Sequence, residues 1–222
     1  MVAYTSPEHH PAFEEYCETI FELAEDGVKV IQARIAERIE VSRPAVSEMV
    51  RRMEDEGLVD LDGTEIKLTA SGRSLATTMV RRHRVAERFL TDVLGLSWAS
   101  AHHEAGKWEH VISPQVETAM LDLMENPTTC PHGNPIPGSD YVELQMVPLS
   151  EVPVGSEFAV ARIPEELEFR TGMLEYLEES NLLPGVVGTV LAISPVGTTT
   201  VELGESVIGL GKFASERILV NG

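Results

Sequence analysis

Apolar positions recur at helical spacing from the first segment of the chain. Phe13, Tyr16, Cys17, Ile20, Phe21, Leu23 and Ala24 predict an amphipathic helix, and Gly27 closes it. A second short helix is predicted over residues 30–39, with Ile31, Ile35, Ala36 and Ile39 on one face. Ser42 stands two residues before Pro44, a helix-start signal in which the hydroxyl caps free backbone N–H groups. The helix it starts, residues 44–56, turns Val46, Met49, Val50 and Met53 inward and stops at Gly57. Short alternating runs at 58–61 and 66–69 then flank Asp62-Gly63, a pair suited to a tight hairpin. Two helices joined by a short turn and followed by a hairpin form the pattern of a winged helix-turn-helix.

From Ser71 the helical period returns. Ala76, Met79, Val80, Val85, Ala86, Phe89, Leu90, Val93 and Leu94 form a broad stripe on one long helix, and further helices are predicted near 97–111 and 114–124. So few helices cannot bury that much apolar surface within one protomer, so a dimer interface is expected. Residues 126–140 are rich in Pro and Gly and are expected to be a linker. Beyond them, alternating segments at 141–147, 157–163, 188–193, 198–203 and 218–220, with one helix near 173–180, predict a small β-barrel. The fold class is therefore α+β, with domains at 1–73, 74–140 and 141–222.

Composition changes this picture in two ways. The formal charge is −19 at pH 7, and residues 1–73 carry eight Lys/Arg against sixteen Asp/Glu, so bulk charge gives no support to nucleic-acid binding. Bound divalent cations, or a few well-placed arginines, would offset it locally. An acidic surface with only four lysines also suits a salt-rich cytoplasm. Cys17 and Cys130 are far apart and in unlike contexts, which argues against a disulfide framework and for a reducing cytoplasm. Residues 1–10 lack the basic, apolar pattern of a signal peptide, and no apolar run approaches the roughly 20 residues of a membrane span, so no membrane partner is expected.

The candidate chemistry is metal binding. His83 and Glu87 are four residues apart on the long helix and share a face; Glu15 and Glu18 share a face of the first helix; Glu109 and His110 are adjacent. Carboxylate and imidazole together suit Mn²⁺, Fe²⁺, Co²⁺ or Zn²⁺. Taken alone, the same residues also read as solvated surface carboxylates and a hydrogen-bonded histidine. Catalysis is not expected: His103-Glu104-Ala105-Gly106-Lys107 begins like the metalloprotease His-Glu-x-x-His but has Lys107 where the second His belongs, and neither a phosphate loop nor a nucleophile elbow is present.

Four stretches, residues 33–38, 79–88, 102–110 and 133–138, carry a resemblance to the diphtheria-toxin-repressor family of metal-dependent regulators. The resemblance implies a dimeric repressor that senses iron or manganese and binds palindromic DNA operators, with a C-terminal SH3-like (FeoA-like) domain. It places Glu15, His83, Glu109 and His110 at the principal regulatory site, and Glu18 where manganese-type members carry a second acidic ligand. Iron-type members usually have Met in place of Glu15 and Cys in place of Gly106. The all-N/O set here leans toward Mn²⁺ over Fe²⁺, and water or the Gly106 carbonyl is left to fill the gap.

For a second site the resemblance offers two sets, Glu87/Cys130/His132 or Glu87/His102, of which the first is favoured. Zn²⁺ is admitted there, and Glu165, Glu166 or Glu168 is the acid expected from the barrel; the barrel ligands of iron-type members align with Arg170 and Met173. In the recognition helix the resemblance sets Ser42, Pro44 and Glu48 near base edges, with Ala45 and Ser47 on the same face. Arg34, Arg43, Arg51 and Arg52 are expected at phosphates, contacts that position without specifying. Glu48 reads equally as an acceptor for cytosine N4 or as a solvated side chain. The competing view is a winged-helix regulator that is metal-independent or senses a small molecule.

Overall fold

The structure, a computed structural model, describes residues 11–222. The expectation about residues 1–10 lies outside the described residues. The described residues form two compact units, one ending at Arg81 and one spanning Arg82–Gly222.

The first unit holds α1 (Pro11–Glu25), α2 (Gln32–Arg38), α3 (Arg43–Asp55) and the antiparallel hairpin β1 (Val59–Asp62) and β2 (Glu65–Leu68). The Ser42 hydroxyl accepts from Ala45 N at the start of α3, as the Ser-x-Pro pattern predicts. Phe13, Ile20, Ile35, Val46, Met53 and Ile66 join one buried core that ties all five elements together. Each such aliphatic or aromatic side chain contributes about 1.5–3 kcal/mol on leaving water. The Thr69 hydroxyl donates to Gly57 O and accepts from Gly72 N, capping α4 (Ala70–Asp92). A Cβ at Gly72 would stand 2.0 Å from Leu58 O, so this helix can start against the wing only with glycine there.

In the second unit the end of α4 packs with α5 (Trp98–Trp108) and α6 (Pro114–Leu123) around Val85, Leu90, Ala101, Ala105, Ile112 and Met120. Ser97 and Ser113 cap α5 and α6 through their hydroxyls. Then come β3 (Val147–Pro148), a 3₁₀ turn (Leu149–Glu151), β4 (Glu157–Arg162), α7 (Glu165–Glu168), α8 (Met173–Glu179), β5 (Val187–Ile193), β6 (Thr199–Leu203), β7 (Ser206–Leu210), α9 (Lys212–Ser215) and β8 (Leu219–Asn221). The strands make one antiparallel sheet in the order β3-β8-β4-β5-β6-β7. Register shifts at Val160/Arg162 and Val190/Ala192 mark bulges, which bend strands. The sheet surrounds a core of Phe158, Val160, Val190, Val201, Leu210 and Val220.

Three expectations are corrected. Residues 141–146 are not a strand: Val142 and Leu144 are exposed, because their alternation finds no neighbouring strand to pair with. Conversely, β7 escaped the hydrophobic pattern, since it is an edge strand with Val207 exposed and Gly209 next to its end. The expected linker is also no solvated tether, because Cys130, His132, Asn134 and Ile136 are all buried. Gly133 lies at φ +87°, and a Cβ there would come within 2.2 Å of Ala161 O, so the segment lies tight against β4. Among the described residues, no helix is long and apolar enough to cross a membrane.

Candidate functional site

Helix α4 presents His83 and Glu87 one turn apart, both buried. Glu109, at the C-cap of α5, meets His83: the Nδ1 to Oε2 distance is 2.5 Å. His110 follows, with Nε2 at 3.4 Å from Glu109 Oε1 and its side chain 27% exposed. A Cβ at Gly106, one turn earlier on α5, would meet nothing within 4 Å. Glu15 and Glu18 lie on α1 in the first unit, Glu15 exposed and Glu18 buried.

The other face of His83 leads to a second cluster. His83 Nε2 is 3.3 Å from both Glu87 Oε1 and His102 Nδ1. His102 Nδ1 is in turn 2.9 Å from Glu87 Oε1 and 3.2 Å from Glu168 Oε2. His132 Nδ1 approaches Glu168 Oε2 to 2.9 Å and Glu87 Oε1 to 3.7 Å. Glu87, Cys130 and His132, all buried, offer ligand atoms within 4.8 Å of one another. The two ligand sets posed as alternatives therefore converge on one carboxylate, Glu87. Of the three barrel acids, Glu168 makes ion-pair contacts with the histidines, Glu165 pairs with Arg84 while also lying within 4.8 Å of His102 and Glu168 ligand atoms, and Glu166 pairs with Arg217. Arg170 instead stacks over the Phe213 ring at 4.4 Å, and Met173 packs on the barrel core.

Electrostatics bind this cluster together. Burial alone would lower the His102 imidazole, but Glu168 and Glu87 outweigh it and raise its pKa to about 10. Burial likewise opposes charge on His83 and His132, yet the carboxylates beside each lift both well above the usual histidine value. Against burial, which raises it, Glu168 is brought down to about 2 by His132 and His102, and Glu87 falls well below the carboxylate range beside His132 and His83. Burial and then Glu87 raise the Cys130 thiol.

These residues fit a divalent ion. Glu87 Oε2, Glu168 Oε2 and both ring nitrogens of His132 are buried without a hydrogen bond. The 2.9 Å approach of His132 to Glu168 is an ion-pair contact. Buried polar atoms left so are rare and call for an explanation. A bound cation is one such explanation, since a neutral imidazole offers one ring nitrogen, and a thiolate and a carboxylate each offer a lone pair. Cys, His and carboxylate are ligands for first-row divalent metals.

On the first unit, Ser42, Arg43, Pro44, Ala45, Glu48, Arg51 and Arg52 are exposed along the start and outer face of α3, and Ser47 is half-buried. Arg34 is exposed on α2 and pairs with Glu37 at 3.0 Å. Arg52 lies over the Phe13 ring at 5.3 Å, so part of its cation is engaged within the protein. Arg38 on α2 is buried against Glu22 and is structural.

Sequence reasoning missed Arg84, Asn134 and Glu168 as parts of one assembly. Asn134 Nδ2 donates to Ile163 O and Glu168 Oε1, and its Oδ1 accepts from Arg162 Nε. The available signal was the Gly133-Asn134-Pro135 run: a glycine and an amide side by side mark a close backbone approach as readily as a loose turn.

Comparison with known proteins agrees with this layout. Residues 10–65 match the model of the iron dependent repressor N-terminal DNA binding domain. Residues 69–138 match that of the iron dependent repressor metal binding and dimerisation domain, and residues 147–222 the FeoA domain. The chain is 40% identical over 200 residues to the iron-dependent repressor IdeR of Mycobacterium leprae, covering 85% of this chain and 86% of that one. It is 48% identical over 128 residues to the diphtheria toxin repressor of Corynebacterium diphtheriae, 57% of either chain. Among solved structures, a manganese-dependent transcriptional repressor in complex with manganese superposes with a TM-score of 0.84 at 32% identity, over 94% of this chain and 98% of that one. With a DNA-binding domain, a metal-binding and dimerisation domain and a FeoA domain in that order, the chain belongs to the diphtheria-toxin-repressor family of metal-dependent transcriptional regulators.

Proposed function

We propose that this protein is a cytoplasmic homodimeric repressor that binds an operator in double-stranded DNA when a divalent metal is loaded, with Mn²⁺ favoured over Fe²⁺ at its regulatory site. The observation that carries the reading is the meeting of His83 and Glu109, with His110 beside them, in a chain that also presents an exposed recognition helix. Glu15 and Glu18 of the first unit would complete this first site. Their carboxylates, with Glu109, His83 and His110, form an oxygen and nitrogen set without sulfur, as a hard cation prefers. A second site would use Glu87, His102, Cys130, His132 and Glu168; its thiol makes it the softer of the two and admits Zn²⁺. The bound ion supplies the positive charge that allows these acidic groups to stand together.

Homodimer formation is supported by the exposed apolar side chains on the helices of the second unit: Val93 and Leu94 after α4, Val111 after α5, and Val116 and Leu123 on α6. In the dimer, two α3 helices reach successive major grooves only over a narrow range of spacings. Ligands drawn from both units to one site narrow that range. The gain is a population shift, set by the difference in metal affinity between the DNA-competent arrangement and the others. By linkage, operator DNA tightens metal binding by the same factor, typically about 5–150-fold. No part of this needs a catalytic group, and the protein is read as a regulator, not an enzyme.

A gel-shift titration on operator DNA, with a chelator and then Mn²⁺, Fe²⁺ or Zn²⁺ restored, tests the reading. Metal is expected to restore a shift that the chelator abolishes. A shift of equal strength under chelation would favour a metal-independent or small-molecule-sensing winged-helix regulator instead.

A further inference from the structure

The ligands of the second site come from three separate pieces of chain: α4, the 130–138 segment, and α7 of the FeoA domain. One side chain touches all three. Arg84 follows His83 and precedes Glu87 by one turn on α4, and it is fully buried. Its Nε and Nη2 both donate to Glu165 Oε1, at 3.1 and 3.0 Å, and its Nη1 donates to Pro135 O at 2.5 Å. Glu165 is buried one turn before Glu168 on α7, and Pro135 follows Cys130 and His132 on the buried segment.

Resting on the second-site reading above, we infer that Arg84 is a positioning residue: its fork to Glu165 and Pro135 holds Glu87, Cys130, His132 and Glu168 in register before any metal arrives. A guanidinium suits this work because it stays charged at any physiological pH and offers a planar set of donors in fixed directions. The fork takes up Glu165 through Oε1 and the segment through the Pro135 carbonyl, neither of which belongs to Glu87, Cys130, His132 or Glu168. Asn134 adds a second tie, from the same segment to Glu168 and Ile163 O. The site is therefore preassembled, and the FeoA domain stays docked on the helices without metal. Groups that orient metal ligands from outside typically change affinity about 10–100-fold when lost.

The test uses the full-length protein and Co²⁺ alone as the probe. The thiolate-to-cobalt absorption band reports the second site through Cys130, and Cys130→Ala removes the band as its control. Removing Arg84 alone would strand the buried Glu165 charge, so the main variant is the double replacement Arg84→Met/Glu165→Met, which removes both charges at similar volume. It is expected to melt as a folded protein, to reach the thiolate band only at about 10–100-fold more Co²⁺, and, with no metal present, to be cut faster by protease in residues 139–147. Glu165→Gln keeps an acceptor for the fork and serves if the double variant does not fold; it is expected to fall between the two. Wild-type Co²⁺ titration and wild-type protease resistance in whichever of these variants folds would overturn the inference while leaving the second site intact. A wild-type protein that shows no thiolate band at all would instead overturn the second-site reading, and this inference with it.

Discussion

The two ligand clusters of the second unit share His83 at their border and differ in almost everything else. Around His83, Glu109 and His110 the donors are nitrogen and oxygen, His110 is partly exposed, and the space beside Gly106 is open. Around Glu87, His102, Cys130, His132 and Glu168 every donor but the half-buried His102 is buried, one is a thiol, and Asn134 and the Arg84–Glu165 pair pack close by. A cluster that is finished within one unit has little to gain from the arrangement of any other part, so its occupancy reports on that unit's own stability. A cluster left open leaves a place for a ligand from elsewhere, and on the proposed reading a ligand from the DNA-binding unit there is what lets metal bias that unit's geometry. On the same proposed reading, the cluster at His83, Glu109 and His110 senses metal, and the one at Glu87, Cys130, His132 and Glu168 holds the FeoA domain.

Substitutions at the two clusters should therefore separate two behaviours. His110→Ala is expected to abolish the metal-dependent gain in operator affinity, a loss of about 5–150-fold, while metal still raises the melting temperature through the second site. His132→Ala should do the reverse, removing most of the stabilisation by Zn²⁺, which reaches about 4 kcal/mol when the ion is at a thousand times its Kd, while Mn²⁺ still stimulates DNA binding. Gel shifts and thermal melts on both variants give the four readings; parallel losses in both assays for both variants would dissolve the distinction between sensing and holding.

A smaller effect sharpens the contrast in donor chemistry. The open space at Gly106 accepts a side chain, and Gly106→Cys would add a sulfur on α5 about one turn before Glu109 and His110. Because thiolate favours softer ions over Mn²⁺, the variant should shift the metal giving half-maximal operator binding toward Fe²⁺ or Zn²⁺, on the order of tenfold relative to Mn²⁺, or about 1.4 kcal/mol. An unchanged ranking of metals in the gel shift would remove residue 106 from the regulatory site.

What was legible in the sequence depended on the range of the signal. The winged helix-turn-helix could be read because its helices and hairpin are marked locally: the Ser42 cap, the Asp62-Gly63 turn and the apolar stripe of α3 act within a few residues. His83 and Glu87 were legible for the same reason, as one turn of one helix. Glu168 was not, because three acids crowd α7 and only tertiary packing sends Glu165 to Arg84, Glu166 to Arg217 and Glu168 to the histidines. The 130–138 segment misled because Pro and Gly mark a break in regular structure, whether solvated or buried, and burial here follows from the close approach to β4 at Gly133. Residues 141–146 misled in the opposite sense: period-2 alternation predicts a strand only where another strand is free to pair with it.

The central claim is that metal at the open cluster narrows the spacing of the two recognition helices. Cys17 and Cys130 are both buried, so Arg51→Cys, at an exposed position on α3, offers a selective site for a dye pair across the dimer. Single-molecule energy transfer between the two α3 helices measures the spacing directly. The account predicts a broad distribution under chelation that collapses to one narrow population with Mn²⁺, and that stays broad in His110→Ala; the same distribution with and without Mn²⁺ would contradict it.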